Sequence, residues 1–436
     1  MRNIAVVGGG WAGCAAAVEL CRKGDVAVTL FEAARTLGGR ARQVEMQDMA
    51  LDNGQHILLG AYGESLRLMR EVGITPETAL LRLPMQMRYA PCGDGMDFVS
   101  WRLPAPLHML GGLLSARGLR AGDKLALARF TSAARWMDWR QDTDCSVTEL
   151  LDRFDQTDRL VQLMWRPLCI AALNTPPERA SAQVFLNVLR DSLGASRRGA
   201  SDMLIPRRDL TALFPSAAAS YVERHGGVVR SGTAVSGLRR VDDGWKVVSG
   251  EAEHSFEGVV LATGPHHAAG LLEGWVDVAA LQSMRFEPIT TCYLRYEDGV
   301  SLGHPFFALR DDPVGGEWGQ FVFDRGMLDA RQRGLLAVVV SASTEAIADG
   351  HEALAAALAA QLARAFGQPG LSAPLWSKVI SEKRATFSCT PGMHRMGNAT
   401  GLPGLVIAGD HTACDYPATL EGAVRSGVQA AALLLA

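Results

Sequence analysis

The sequence predicts an α/β protein in which a Rossmann-like domain is interrupted by an inserted α+β domain. A β-branched run from Ile4 to Val7 leads directly into the glycine-rich turn Gly8 to Gly13 and then into an alanine-rich helix from Ala15 to Arg22. A second apolar strand, Val26 to Phe31, ends next to the acid Glu32. Two later parts of the chain again combine a buried apolar strand with a glycine. These three observations predict a parallel sheet that is visited by three passes of the chain.

The first turn has the pattern G-x-G-x-x-G, and its three glycines have different tasks. Gly8 makes the tight turn, Gly10 lets the backbone approach a pyrophosphate, and Gly13 lets the helix pack closely against the strand. The helix N-terminus, at Trp11 and Ala12, presents free N–H groups and a partial positive charge to the phosphates. Glycine is 46 of the 436 residues, so about 0.5 such patterns are expected by chance, and the pattern alone is weak.

Its surroundings make the pattern specific. The strand before the turn, the helix after it and an acid about 20 positions further on form a βαβ unit that binds dinucleotides. That acid, Glu32, is followed by Ala33 and is expected to hold a ribose 2′-hydroxyl. The continuation Leu37-Gly38-Gly39-Arg40 adds a second glycine turn that ends in a cation. The sequence therefore predicts a dinucleotide site in its first sixty residues.

The composition is that of a globular protein with a large core. The chain is 48% hydrophobic and 20% charged, and at ~150 residues per domain its length suggests two or three units. A net charge of −3 gives no global basic field for nucleic acid. Eight cysteines without a C-x-x-C spacing indicate reduced thiols, with neither a disulfide framework nor a metal site. No uninterrupted apolar run reaches ~18 residues, so no membrane-spanning segment is predicted.

The predicted domains follow from the three passes. The dinucleotide-binding domain is expected to comprise residues 1–75, 206–270 and 400–436, and the inserted domain residues 76–205 and 271–399. In the second pass we expect a helix over Leu213–His225, strands over Gly227–Arg230, Thr233–Arg240 and Trp245–Ser249, and a buried strand and glycine turn over Gly258–Gly264. In the third we expect a strand over Gly404–Asp410 and a helix that begins near Thr419. The inserted domain is expected to be mostly helical over Asp142–Leu193 and to contain strands at Thr291–Tyr296 and Leu335–Ser341 and a helix at Glu352–Phe366.

Residues 101–140 combine apolar and basic side chains. Apolar residues crowd Leu103 to Leu114, and seven cations face only Asp123 and Asp138. The cations are Arg102, Arg117, Arg120, Lys124, Arg129, Arg135 and Arg140. Apolar area beside cations suits a membrane-interface segment that contacts anionic lipid. A helical wall of the inserted domain with a solvated basic face explains the same pattern, and the sequence leaves both readings open.

The glycine pattern, Glu32, Leu37 to Arg40 and an Asp-x-Gly at Asp52 together resemble the amine oxidase and phytoene desaturase superfamily of FAD enzymes. The string from Asp52 to Tyr62, D-N-G-Q-H-I-L-L-G-A-Y, resembles the squalene-associated branch, the hydroxysqualene dehydroxylases. Lys383 to Phe387 resembles the same branch. The resemblance implies an FAD cofactor.

The resemblance also implies where the cofactor contacts lie. Gly54, Gln55 and His56 would run beside the flavin ring, and Gly39 and Arg40 would lie at the cofactor. Val235 would meet the adenine through its backbone, and Gly409 and Asp410 would bind the ribityl or phosphate region. The helix at Thr419 and Leu420 would direct its N–H groups at flavin N1 and O2, where negative charge collects on reduction.

The activity that the resemblance implies is reductive loss of the hydroxyl of hydroxysqualene, giving squalene for triterpenes of hopanoid or sterol type. An allylic C–OH ionises when an acid protonates the leaving water, and reduced flavin then delivers hydride. His56 is the first candidate for the acid. The sequence has no second G-x-G-x-x-G after a strand, so an external electron donor is expected. The expected location is cytoplasmic, with peripheral contact at the inner face of the cytoplasmic membrane.

Two other functions remain open at this stage. A carotenoid or phytoene-type desaturase, or another flavin oxidase, would run hydride transfer in the opposite direction. Amine oxidases of the superfamily carry an aromatic residue directly before the helix where this chain has Thr419, which counts against an amine substrate. A non-catalytic isoprenoid carrier is the third alternative, although the intact Glu32 and Asp410 favour retained FAD.

Overall fold

The computed structural model describes residues 2–23, 25–46, 49–242 and 244–436. Its first domain is built on a sheet of five strands, and every neighbouring pair of strands is parallel. In spatial order the strands are Val228–Arg230, Val26–Phe31, Arg2–Val7, Gly258–Leu261 and Leu405–Ile407. They come from three separate parts of the chain, which confirms the predicted Rossmann-like fold.

Both faces of this sheet are covered, which explains why its strands are continuous apolar runs. Ile4 and Val6 point into one core, and Ala5 and Val7 point into another on the opposite face. The first core is closed by the helices Trp11–Arg22, Pro215–Arg224 and Leu420–Leu435. The second is closed by the helix Pro265–Leu272 and an antiparallel sheet of Gly237–Val241, Gly244–Ser249 and Ala252–Phe256.

The inserted domain contains an antiparallel sheet of five strands. In spatial order these are Phe306–Ala308, Phe321–Asp324, Leu335–Ser341, Phe286–Arg295 and Trp376–Phe387. The helix His351–Phe366 packs on one face through Leu354, Leu358 and Leu362. The other face carries Tyr293 and packs against Leu51 and Ile205. This second face is turned towards the segment around Leu51, which follows the predicted dinucleotide site in the sequence.

A helical layer completes the inserted domain. Its helices are Leu107–Ser115, Ala121–Trp136, Val147–Arg153, Asp158–Leu160, Arg166–Leu173, Ala182–Ser192 and Arg198–Ser201, with a π-helical turn at Val161–Trp165. Most of them share one core around Trp165 and Phe185. The prediction of a mostly helical stretch from Asp142 to Leu193 is confirmed.

Short elements join the two domains. Gln43–Met46 pairs with Met49–Asp52, Gln86–Arg88 pairs with Asp97–Val99, and Met203–Pro206 lies between Leu58–Leu59 and Leu80–Leu83. The remaining α-helices are Gly63–Glu71, Pro76–Ala79, Leu210–Leu213 and Ala279–Gln282, and 3-10 turns lie at Pro313–Gly315, Arg325–Met327, Ala330–Gln332 and Pro369–Ser372. The three-stranded sheet spans the predicted limits at residues 75 and 206, and those limits stay a prediction.

Two predicted elements of the second pass are wrong in detail. The strand expected from Thr233 begins only at Gly237, because the N–H of Thr233 donates to the carbonyl of Glu32 at 2.8 Å. The helix expected over Leu213–His225 is interrupted at Phe214. Proline at position 215 lacks an N–H and restricts the residue before it, so a new helix begins there. In the third pass the predicted strand ends early, at Ile407.

Among the helices of the described ranges, none is both long enough and apolar enough to span a bilayer.

Candidate cofactor and active site

The first glycine turn forms an open cradle between two tightly packed positions. Gly8 has a φ of +109°, and a Cβ there would lie 2.5 Å from the carbonyl oxygen of Ala262. A Cβ on Gly13 would lie 1.8 Å from the carbonyl oxygen of Gly8. Both positions therefore require glycine. At Gly10 the nearest atom to an added Cβ is Cα of Gly39, 3.9 Å away, so this part of the turn is free to receive a ligand.

The helix Trp11–Arg22 begins at this cradle without a capping side chain and without an acid in its first turn. The first N–H groups of a helix have no intrahelical acceptor, so they are available to phosphate oxygens. The Trp11 ring is buried, with Nε1 donating to the carbonyl of Ala41 at 3.3 Å. Trp11 and Ala12 can therefore serve the site only through their backbone.

Glu32 lies at the carboxyl end of the second strand, where its carboxylate is held in place. It accepts hydrogen bonds from the N–H of Gly9 at 2.6 Å and from the N–H of Ala34 at 2.8 Å, whereas the neighbouring Ala33 is exposed. Its backbone carbonyl binds Thr233, two residues before Val235. The structure thus brings the two predicted contacts for the adenosine half of the cofactor, Glu32 and Val235, to the same edge of the sheet.

Half-buried Arg40 and buried Asp410 form an ion pair, although 370 positions separate them. Nη2 of Arg40 lies 2.5 Å from Oδ1 of Asp410, and Nη1 donates to the carbonyl of Ala385 at 2.9 Å. Burial alone would raise the pKa of Asp410, but the positive charge of Arg40 holds that pKa far below its usual value. The pair joins the first and third passes of the chain to the Lys383 to Phe387 strand.

The last helix begins beside this ion pair. Thr419 caps it by accepting a hydrogen bond from the N–H of Gly422 at 3.1 Å, so Leu420 is the first helical residue. Gly409 has a φ of +154° and donates its N–H to Oγ of Ser426 at 3.0 Å. The Ser426 contact therefore fixes the second turn of this helix against the turn that carries Asp410.

The segment Gly54 to His56 lies between the two domains. Gly54 is buried and His56 is half-buried, with Nδ1 of His56 3.1 Å from the carbonyl oxygen of Gly54. Desolvation lowers the pKa of His56 and outweighs the opposing effect of that hydrogen bond. The imidazole is therefore mainly neutral at pH 7, with its proton on Nδ1 and an acceptor lone pair on Nε2.

Sequence reasoning missed a buried polar network that holds Gln55. Nε2 of Gln55 donates to the hydroxyl of Tyr293 at 2.8 Å, and Nη1 of Arg325 donates to Oε1 of Gln55 at 2.8 Å. The Tyr293 hydroxyl donates to the carbonyl of Asp52 at 2.6 Å, and Nε of Arg325 donates to Gln332 at 2.8 Å. The oxygen and the nitrogen of the Gln55 side-chain amide are thus both oriented by the inserted domain.

The network has unusual electrostatics. Arg325 is 3% exposed, yet within the described ranges no carboxylate lies at salt-bridge distance from it. Burial raises the pKa of Asp52 to about 7, although Arg325 and the N–H of Leu210 both favour its ionised form.

Alternation along the strand predicts that Tyr293 faces away from Cys292 and Leu294, but no sequence pattern indicates which residues Tyr293 contacts.

The structure also shows whether a flavin dinucleotide suits these residues. Besides the open cradle at Gly10, Oγ1 of Thr263 and both ring nitrogens of His411 are buried without a hydrogen bond in the described part of the chain, and Nδ1 of His411 lies 3.8 Å from Oδ1 of Asp410. Thr263 follows the strand Gly258–Leu261, beside the Gly8 turn, and a Cβ on its neighbour Gly264 would meet nothing within 4 Å. Buried polar atoms normally have partners, so these atoms and the open space fit a polar ligand along the strand ends.

Comparison with known proteins identifies the family. The sequence profile described as "Flavin containing amine oxidoreductase" matches residues 11–435. The chain belongs to this family. It is an FAD-dependent oxidoreductase, and the glycine cradle, Glu32 and the Arg40–Asp410 pair are the residues expected to hold its FAD.

Individual relatives extend this result. The chain is 28% identical to a hydroxysqualene dehydroxylase of Sinorhizobium fredii, covering 100% of this chain and 98% of the relative, and 29% identical to that of Rhodopseudomonas palustris, covering 100% and 99%. It is 23% identical to the zeta-carotene desaturase of Capsicum annuum, covering 99% and 80%. The solved structure of putrescine oxidase bound to putrescine shares the fold, with a TM-score of 0.71, 17% identity and coverage of 100% and 99%. The predicted resemblance to hydroxysqualene dehydroxylases is confirmed.

Proposed function

We propose that the protein removes the hydroxyl group of hydroxysqualene reductively and releases squalene. In this reaction the carbon–oxygen bond breaks, the hydroxyl leaves with a proton as water, and a hydride takes its place on carbon. Reduced FAD, when bound, supplies that hydride, and an external electron donor restores the reduced cofactor. The substrate class is an apolar C30 isoprenoid.

One observation supports this choice above the others. Relatives named hydroxysqualene dehydroxylase are 28% and 29% identical over the whole chain, whereas the desaturase relative, which also matches 99% of the chain, is 23% identical. The desaturase relative is more distant and longer than this chain.

The inserted domain provides surroundings that suit an apolar substrate. The sheet face that carries Tyr293 is otherwise lined by Phe306, Phe323 and Leu335, and it packs towards Leu51 beside the Gly54 to His56 segment. Such a wall excludes water, which strengthens electrostatic interactions inside it. On this face the Tyr293 hydroxyl belongs to the Gln55 network, which brings polar groups close to the expected position of the flavin ring.

His56 is our proposed proton donor, and its geometry sets a condition on that role. With Nδ1–H directed at the carbonyl of Gly54, the neutral ring offers only an acceptor at Nε2. His56 can therefore donate a proton from Nε2 only when it is protonated at both nitrogens. Its lowered pKa makes this form scarce at pH 7, so the proposed acid step should become faster at acidic pH.

The second candidate is a desaturase, which the similarity to zeta-carotene desaturase favours. It would pass hydride from an isoprenoid to oxidised FAD, and the apolar wall suits either substrate. The two functions differ in the oxidation state of the FAD that reacts with the substrate. Dehydroxylation requires reduced FAD, and desaturation requires oxidised FAD.

The test uses purified enzyme with bound FAD under anaerobic conditions. Chemically reduced enzyme mixed with detergent-dispersed hydroxysqualene should give one squalene per flavin, with return of the oxidised flavin absorbance near ~450 nm. A matched reaction with squalene as substrate should leave reduced enzyme unchanged. If reduced enzyme leaves hydroxysqualene intact while oxidised enzyme is bleached by squalene or phytoene, the desaturase function replaces ours.

A further inference from the structure

Exposed apolar side chains are concentrated in one short stretch of the described chain. Of its 13 large hydrophobic residues with high exposure, seven lie between residues 101 and 136. These seven are Trp101, Leu103, Leu107, Leu110, Leu114, Leu125 and Trp136. Single exposed apolar residues need no explanation, but a contiguous group of this kind marks an interaction surface. We use the name basic apolar patch for these seven residues together with the neighbouring cations. Those cations are Arg102, Arg117, Arg120, Lys124, Arg129, Arg135 and Arg140.

The first half of the patch is one face of a helix. Leu107, Leu110 and Leu114 follow the helical repeat along Leu107–Ser115, and Leu114 is 64% exposed. Trp101 is fixed beside them, because its Nε1 donates to Oγ of Ser115 at 2.9 Å. A Cβ on Gly111 would lie 2.5 Å from the Trp101 ring, so this glycine lets the indole rest against the helix. The apolar surface is therefore built into the fold rather than being a frayed loop.

The second half lies on the helix Ala121–Trp136, which follows directly. Leu125, Arg129, Ser132 and Trp136 share its exposed face, and Trp136 is 88% exposed. The two helices are joined where Nζ of Lys124 donates to the last-turn carbonyl of Leu114 at 2.7 Å. Both bury their other faces in the same core, and the Lys124 hydrogen bond holds the start of the second helix beside the end of the first.

Cations surround this apolar surface without carboxylate partners. Six arginines in residues 102–140 are exposed, and neither they nor Lys124 form a salt bridge with any described residue. They are Arg102, Arg117, Arg120, Arg129, Arg135 and Arg140. Of the two acids in the segment, Asp123 is buried and accepts hydrogen bonds from the N–H of Arg120 and the hydroxyl of Thr157. Asp138 is the exposed acid within the segment, and Asp94 and Asp97, from outside it, lie close to Arg120 and Arg117 respectively.

We propose that the basic apolar patch docks the protein on an anionic lipid bilayer. Leucine and tryptophan side chains would enter the boundary between headgroups and acyl chains, while the arginines bind lipid phosphates. A second copy of this chain is a poorer occupant, because a twofold contact would place the same cations opposite each other. The role of the patch rests on the proposed function, since an apolar C30 substrate is dissolved in the bilayer from which a docked enzyme would take it.

The test measures flotation of the full-length, FAD-loaded protein with vesicles and without any substrate. One set of vesicles contains phosphatidylglycerol and phosphatidylcholine, and the other contains phosphatidylcholine alone. We expect binding to the anionic vesicles only, and weaker binding at 1 M salt, where the Debye length falls from about 10 Å to about 3 Å. Leu107→Ser/Leu110→Ser/Leu114→Ser should reduce affinity at least about 100-fold, and Arg129→Gln/Arg135→Gln about 30-fold.

Matched controls remove equally exposed residues outside the patch. Val314→Ser/Leu375→Ser and Arg224→Gln/Arg333→Gln should bind vesicles like the wild type, since these positions are also exposed. The proposal is overturned if the wild type does not float, if the leucine variant floats equally well, or if the patch variants change only self-association in sedimentation. Because no substrate is present, this result is independent of the reaction with detergent-dispersed hydroxysqualene, and either proposal can fail alone.

Discussion

His56 illustrates how a single hydrogen bond constrains a proposed catalytic residue. Its Nδ1 faces the carbonyl of Gly54, and desolvation lowers its pKa. If His56 is the acid, only the doubly protonated ring donates, and the fraction in that form rises about tenfold per pH unit as the pH falls towards the pKa. We therefore expect the single-turnover rate of flavin reoxidation by hydroxysqualene to increase from pH 8 to pH 7.

Replacement of His56 should remove that pH dependence. His56→Ala should slow reoxidation by about 10²–10⁴-fold and leave FAD content near normal. His225→Ala is the matched control. Nδ1 of His225 also contacts a backbone carbonyl, that of Tyr221 at 2.8 Å. His225 follows the last residue of the helix Pro215–Arg224, away from the proposed chemistry. A pH-independent wild-type rate, or a His56→Ala rate like that of the control, would assign proton donation to another group.

We predict that Tyr293 is a positioning residue, which acts on the reaction by holding Gln55 in place. Its hydroxyl connects Gln55 to the carbonyl of Asp52, and Tyr293→Phe would leave these buried groups without a partner. We expect a loss of about 1–3 kcal/mol in the free energy of unfolding and a rate of flavin reoxidation lower by about 10- to 100-fold.

Tyr296→Phe separates positioning from stability. The Tyr296 hydroxyl is also buried and donates to the carbonyl of Leu371 at 2.6 Å, so this variant should lose similar stability. If Tyr293 only stabilises the fold, both variants will show the same reoxidation rate and the same flavin absorbance spectrum. A change confined to Tyr293→Phe would support the network around Gln55.

At the scale of elements, the first and last helices of the cofactor domain approach each other closely at Gly427. A Cβ on Gly427 would lie 2.1 Å from the carbonyl oxygen of Ala12, so Gly427→Ala must push the helix Leu420–Leu435 away from the cradle. We expect a cost of about 1–3 kcal/mol in the free energy of unfolding and weaker FAD binding, measured by equilibrium titration of the apoprotein.

Gly270→Ala is the control for this change. Gly270 lies in the helix Pro265–Leu272, and an added Cβ there would meet nothing within 4 Å. Alanine at such a helical position should stabilise the protein by up to about 1 kcal/mol. If both variants retain wild-type FAD affinity, the contact of the two helices does not determine the shape of the cofactor site.

Another contact between elements depends on a buried acid. Glu421 is fully buried, and its carboxylate accepts hydrogen bonds from the N–H groups of Glu64 and Ser65 and from Arg425. It therefore caps the helix Gly63–Glu71 from the start of the last helix. This contact is a second link between the first and third passes of the chain, besides the Arg40–Asp410 pair.

At the scale of the whole molecule, FAD should stabilise the protein because its expected contacts come from all three passes. A ligand at 100 times its Kd contributes about 2.7 kcal/mol to the free energy of unfolding. We expect FAD to raise the thermal midpoint of the apoprotein, and Glu32→Ala to reduce both this increase and the FAD affinity. Glu345→Ala, at an exposed carboxylate, should behave like the wild type. Equal FAD affinity in both variants would argue against a ribose contact at Glu32.

The sequence by itself determined the cofactor domain and its cofactor. The glycine turn, Glu32 and the flanking strand and helix are neighbours along the chain, so their spacing already encodes the βαβ geometry. The family resemblance of the Asp52 to Tyr62 string indicated an oxidoreductase of isoprenoids, and the apolar and basic stretch at residues 101–140 left a membrane surface and an ordinary domain wall equally open.

Only the tertiary structure decided which distant side chains meet. Arg40 and Asp410 are 370 positions apart, and Gln55 and Tyr293 are 238 positions apart. Contacts of this kind have no characteristic spacing, because they depend on how separate elements pack rather than on the repeat of one helix or strand. The same reason applies to the basic apolar patch, where the periodicity predicted helices but only the packed core showed which leucines and tryptophans remain exposed.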